Sequence, residues 1–215
     1  FIYASELCDT QLPAADLMIL AGSKNTRADL AFIKAQGWDK QIVKHLRYGG
    51  KVFGICGGFQ MLGQAIADPD GIEGESGESQ GLALLAMRTE LAQKKTLINR
   101  KGMFSLNGES AMVSGYEIHL GQSQISEELK PIVTIDGQAQ GAISDDGQVA
   151  GCYLHGIFDS DSAIQVLANW CETSLAHHLD LIELQQQAID KLADVCQQHL
   201  DLEKIEQAII DWSQK

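Results

Sequence analysis

Residues 54–60, GlyIleCysGlyGlyPheGln, set Cys56 between glycines where an apolar run meets a short amphipathic one. A thiol placed there is a candidate nucleophile. The GxCxG pattern is the cysteine counterpart of a strand-to-helix elbow, a turn so tight that flanking side chains would collide, with the nucleophile presented at the carboxyl edge of a sheet. At a helix N-terminus thiolate is favoured over thiol, and the Gly57 amide could hold an oxyanion as a tetrahedral intermediate forms. The same stretch also reads as a buried cysteine beside a glycine-rich turn, because short motifs recur by chance.

A cysteine that forms an acyl intermediate needs a proton carrier, usually histidine. Six histidines are present. His155, in CysTyrLeuHisGly, ends an expected strand and precedes an expected helix, which would set it on the same sheet edge as Cys56. His119, in GlyTyrGluIleHis, is its rival, since it also ends a short strand. His45 reads as helix surface, and His177, His178 and His199 belong to the tail. Cys152 and His155 spell CxxH, but no second pair with ligand spacing accompanies them, so no metal is expected.

For Cys56 and His155 to meet, the chain must bring distant strands to one edge. The run DLMIL at 16–20 reads as a buried strand ending in a polar turn, and 27–48 as a helix interrupted at Gly37 and stopped by Gly49 and Gly50. KVFGI reads as a second strand entering Cys56, and FQMLGQAIA as a short helix. Two successive strand, turn, helix units predict a parallel sheet covered by helices. Residues 70–81 read as a surface loop, and 82–158 change to period two, an antiparallel continuation built of short runs that include VAGCYLHG. The last 55 residues read as helical, with a capping box from Asp180 to Glu183 and Leu184, Ala188, Ile189, Leu192 and Val195 at helical spacing.

Composition narrows the function classes. A chain of 215 residues, 45% apolar, can bury one substantial core, and its net charge of -13 would repel nucleic-acid backbones and anionic lipid. Five cysteines, odd in number and irregularly spaced, fit neither a disulfide framework nor a zinc ribbon. No apolar run is long enough to span a membrane, and the opening FIYASELCDT lacks the pattern of a signal peptide, so a cytoplasmic location is expected. The opening reads as mid-protein, as though the chain were one piece of a longer polypeptide.

Four ordered segments, AlaGlySerLysAsnThr at 21–26, GlyIleCysGlyGlyPheGlnMetLeuGly at 54–63, SerGlyTyrGluIleHisLeuGly at 114–121 and TyrLeuHisGlyIlePheAsp at 153–159, resemble the class I, or triad, glutamine amidotransferases. Within that class they are most similar to the cobyric acid synthase branch, and the resemblance extends into the tail. It implies an α/β fold: a flavodoxin-like open, mostly parallel sheet with helices on both faces, an antiparallel extension and a helical C-terminal tail. The implied domains are an amidotransferase core over 1–160 and a helical segment over 161–215 packed on it, with an ATP-dependent synthetase domain on the N-terminal side. The resemblance further implies Cys56 as nucleophile, His155 as acid and base, the Gly22 and Gly57 amides as oxyanion hole, and Gln60 beside bound glutamine. Tyr116 and His119 are the further candidates for the substrate side, and with Glu117 for the inter-domain face, while Tyr116 reads equally as a packing residue. Glutamine is the implied substrate, the corrinoid an indirect partner, and ATP with Mg²⁺ belongs to the synthetase domain. This chain contains no GxxxxGK[ST] loop for phosphates.

One position departs from the class. Many members place a glutamate two residues after the histidine; here it is Ile157, as in the synthase branch, so His155 lacks an assigned partner and Asp159 or Glu117 is left to substitute. Other readings share the scaffold: a cysteine peptidase, a catalytically silent binding module, or an amidotransferase for another acceptor, such as cobyrinic a,c-diamide synthase or a cell-wall lipid amidating enzyme.

Overall fold

The structure is a computed structural model that describes residues 11–174 and 181–213. Apolar Leu17–Leu20 forms β1. The Asn25 side chain accepts from the Ala28 amide at 3.0 Å and so caps α1, Thr26–Ala35. Gly37, at φ 70°, separates it from α2, Trp38–Arg47, so the expected single helix is two. β2, Lys51–Ile55, runs through Cys56 into α3, Gly57–Leu62. That helix is shorter than FQMLGQAIA suggested. Gly63 is extended, and Ala65–Asp68 leaves as β3, whose Ala65 and Ile66 are buried.

Beyond the short β4, Gly77–Gln80, the runs expected between 82 and 125 merge into one long hairpin, β5 (Met87–Leu106) and β6 (Glu109–Ile125). Asn107 and Gly108, at φ 50° and 81°, make its two-residue turn, whose positive φ values match the strands' twist. β7 (Val133–Ile135), β8 (Gln138–Gln140), β9 (Ala142–Ile143), β10 (Val149–Cys152) and β11 (Leu154–His155) follow. A single 3₁₀ turn, Ile157–Asp159, leads into α4, Asp161–Trp170.

These strands form two sheets. The four-stranded sheet, in order β1, β2, β10, β9, is parallel along β1, β2 and β10. The seven-stranded sheet follows the path β11, β6, β5, β3, β4, with β7 beside β5 and β8 beside β7, and is antiparallel except between β3 and β5. The α/β class and its antiparallel extension are both present, and the extension is the larger sheet. Side chains alternate along β2, so Val52 packs with Ile42 of α2 and with Phe59 and Leu62 of α3, whereas Phe53 faces the opposite side and packs with Trp170 of α4. Burial of a side chain such as Phe53 contributes roughly 2–3 kcal/mol.

VAGCYLHG, expected as one strand, divides at Tyr153. β10 lies parallel to β2, while β11 pairs with β6 of the other sheet. This one-residue switch between sheets carries His155 to the hairpin.

The chain divides into two compact units, Phe1–Leu175 and Ala176–Lys215. Within the second, α5 (Leu181–His199) contains Leu184, Ala188, Ile189, Leu192 and Val195, as their spacing predicts, and α6 spans Leu202–Ser213. Asp180 of the expected capping box lies outside the described residues. No helix among the described residues is long and apolar enough to cross a membrane.

Candidate active site

Cys56 stands at the carboxyl end of β2 with φ 52° and ψ -109°, a conformation that costs a non-glycine residue energy and persists only where its surroundings enforce it. Those surroundings are backbone. The Cys56 amide donates to Cys152 O at 2.9 Å, and a Cβ at position 58 would come within 1.9 Å of Leu20 O. Gly58 thus lets the start of α3 press against the end of β1. The thiol is 6% exposed and donates to Ile118 O of β6 at 3.4 Å.

Burial pushes the Cys56 thiol up, against the lowering effect of the Gly57 amide, and the Glu73 carboxylate adds to the rise. This direction runs against the expected thiolate: the start of a six-residue helix does not offset the desolvation of the thiol. Cys152, in the apolar core, is pushed further, to about 12.

His155 faces Cys56 across Gly22. A Cβ at Gly22 would lie 2.9 Å from His155 Cε1, 3.7 Å from its Nε2 and 3.8 Å from Cys56 Cβ, so the three residues enclose one small volume at the carboxyl edge of the parallel sheet. His155 Nε2 is buried without a hydrogen-bond partner among the described residues. Burial, and secondarily the field of His119, lowers the imidazole's pKa, which keeps the ring neutral at neutral pH.

Gln60 is also brought here, 3% exposed. Its Oε1 accepts from Thr26 Oγ1 at 3.3 Å, and its Nε2 donates to the Tyr153 hydroxyl at 3.2 Å. That hydroxyl lies 2.6 Å from Ser123 Oγ, which lies 2.6 Å from Thr89 Oγ1. His119 joins this group. Its ring stacks on Tyr153 with centroids 4.0 Å apart, and its Nδ1 bonds Gly121 O at 2.7 Å. Tyr116 belongs with His155, opposite it in the register of β6 and β11. All seven residues singled out from the sequence, Gly22, Cys56, Gly57, Gln60, Tyr116, His119 and His155, thus lie on the ends of β1 and β2, the start of α3, β6 and β11.

A family model for the CobB/CobQ-like glutamine amidotransferase domain matches residues 1–163. The chain belongs to that family. Relatives include cobyric acid synthases from Vibrio vulnificus strain YJ016, 53% identical over 195 residues, and Shewanella oneidensis, 50% identical over 224 residues. These alignments cover 91% and 97% of this chain but 40% and 44% of the relatives, so the amidotransferase chain spans about two fifths of their length. Two solved structures share the fold at 15% identity. A crystal structure of a glutamine amidotransferase covers 74% of this chain and 80% of its own, with a TM-score of 0.53. PurLQS from Thermotoga maritima covers 74% and 82%, with a TM-score of 0.54.

Several residues of this amidotransferase site were not visible in the sequence. Tyr153 lies in the same motif as His155 but carried no sign of its contact with Gln60. Thr89 and Ser123 meet only because β5 and β6 pair them in register. Glu73 reaches the site from the loop after β3: its Oε1 accepts from Thr26 Oγ1 at 3.2 Å and its Oε2 from the Arg27 amide at 3.0 Å. Asp68 anchors that loop by accepting from the Ile72 and Glu73 amides at 2.7 and 2.9 Å, with Arg27 Nη1 at 3.4 Å. Burial alone would raise the Asp68 carboxyl; those amides and the guanidinium outweigh it and hold it below the usual carboxylate range.

Glu117 does not take the absent acid's place at His155. It follows Tyr116 in the strand and faces the other side of the sheet, where it is 4% exposed and lies 3.6 Å from Arg100 Nε. Ile157 is fully buried in the core.

Proposed function

We propose that this amidotransferase domain hydrolyses glutamine through a Cys56 thioester and delivers the ammonia to an ATP-dependent amidation carried out by the remainder of a longer polypeptide. One observation carries the reading: a cysteine in a strained elbow shares the space at Gly22 with an imidazole whose Nε2 is buried and has no hydrogen-bond partner among the described residues.

The chemistry follows from the resting protonation states. Cys56 attacks the carboxamide carbon of glutamine as His155 Nε2 takes the thiol proton, so nucleophile and base are made together on substrate binding. The carbonyl electron pair moves to oxygen, where the Gly57 and Gly22 amides stabilise it, each such donor being worth about 3 kcal/mol. The imidazolium then gives its proton to the departing nitrogen, and the C–N bond breaks to release ammonia. Water, deprotonated by His155, cleaves the thioester to glutamate and regenerates the thiol. Gln60, held by Thr26 and Tyr153, forms the wall beside the carboxamide.

By likeness to cobyric acid synthases, the acceptor is a carboxylate side chain of a corrinoid, activated with ATP and Mg²⁺ on the portion of the polypeptide beyond this chain, in the cytoplasm. Two measurements test the reading. A diazo-ketone analogue of glutamine should add one adduct to the intact protein and none to Cys56→Ser, and free glutamine should release ammonia with wild type while peptides are not cleaved. An adduct of equal yield on Cys56→Ser, or no adduct at all, overturns it.

A further inference from the structure

His155 must present Nε2 to the sulfur, yet the position that carries the orienting carboxylate in many class I enzymes is Ile157, fully buried in the core. Its neighbour on the hairpin supplies a different restraint. Tyr116 is paired with His155 across β6 and β11, and the two rings are stacked with centroids 5.0 Å apart and planes inclined by 3°. The strands there are pressed together: a Cβ on Gly115 would come within 1.8 Å of His155 O, so the register that sets Tyr116 over the imidazole cannot slip. Tyr116 remains 42% exposed, with one face on His155, as expected of a side chain that covers the imidazole instead of filling the core.

We infer that Tyr116 is the positioning residue of the hydrolytic reaction, its ring fixing the plane of His155 in place of the missing carboxylate. The inference rests on the proposed role of His155. An orienting carboxylate has two effects: it fixes the imidazole and favours the imidazolium that forms when the nucleophile loses its proton. A stacked phenol ring does both, by steric restraint of the ring plane and by the attraction of an aromatic face for a cation. It does so without a buried negative charge beside a thiol already raised by burial and by Glu73.

The test compares Y116L and Y116F with wild type in the full-length protein, by steady-state glutamine hydrolysis and by spectra of ¹³C-labelled histidine in which H155N assigns the His155 signal. Y116L should lower kcat on the order of a hundredfold, as misplacement of a reacting group by an ångström does, with KM for glutamine and the thermal midpoint little changed. Y116F, which keeps the ring, should restore most of the rate. The His155 Hε1 resonance should show an upfield ring-current shift in wild type and Y116F that is lost in Y116L. Three results overturn the inference: Y116L turning over as fast as wild type, Y116L changing KM alone, which would make Tyr116 a substrate contact, or no ring-current shift in wild type. A wild-type protein with no Cys56-dependent hydrolysis overturns the parent reading as well, which separates the two failures.

Discussion

The carboxyl edge of the parallel sheet and the long hairpin meet at one site but hold their residues by different physical means. At the sheet edge the constraints are covalent geometry and backbone contact: Cys56 is fixed at φ 52°, its amide bonds Cys152 O, and Gly58 lies against Leu20 O. On the hairpin the constraints are side chains: Tyr116 stacks on His155, His119 stacks on Tyr153, and Tyr153, hydrogen-bonded to Ser123, accepts from Gln60. The position of Cys56 is therefore inseparable from the fold, whereas the groups around it can be moved while the fold stands.

Matched glycine substitutions break this comparison if it is wrong. Gly58→Ala places a carbon 1.9 Å from a backbone oxygen at the end of β1, where no rotamer change relieves the clash. It should destabilise the protein by about 3 kcal/mol or more, read as a lowered urea midpoint, with loss of Cys56 labelling following the loss of structure. Gly121→Ala places its carbon 2.2 Å from Gln60 Nε2 and 2.8 Å from Thr89 Cγ2, mostly against the end of a flexible side chain. The cost in stability should be about 1–2 kcal/mol, while Gln60 swings away from Tyr153 and kcat/KM for glutamine falls on the order of tenfold to a hundredfold. Equal losses of stability in the two variants would show that the hairpin is as integral to the elbow as β1 is.

The same division explains what could be read from the sequence. The elbow was legible because its requirements are local: an apolar strand, a cysteine and small residues on either side specify it without knowledge of what lies above. His155 was legible as a strand end beside a glycine. The switch of the chain between sheets at Tyr153 was not, since β10 and β11 look like one alternating run and only pairing with β2 and β6 separates them. α3 ended earlier than its apolar residues suggested because Ala65 and Ile66 gain more as a strand beside β5 than as a further helical turn. The direction in which the Cys56 thiol is shifted was hidden for a related reason. Position at a helix start is visible in sequence; burial beneath β6, fifty or more residues away in the chain, is not.

The smallest expected effect isolates one imidazole's influence on the other. In the proposed role His155 takes a proton only when neutral, so its lowered pKa should extend activity toward acid pH. Burial is the larger cause and the positive field of His119 the lesser one. In His119→Phe an aromatic ring is kept against Tyr153 and the electrostatic influence of the second imidazole on His155 is removed. Its pKa should rise toward the ordinary imidazole range without reaching it, because burial remains. The acid limb of the kcat/KM profile should accordingly move to higher pH, with activity near neutrality almost unchanged. A limb that stays in place would assign the whole depression to burial, and loss of activity across the whole profile would mean that the reaction needs the His119 imidazole itself; either outcome redraws the boundary between the sheet edge and the hairpin.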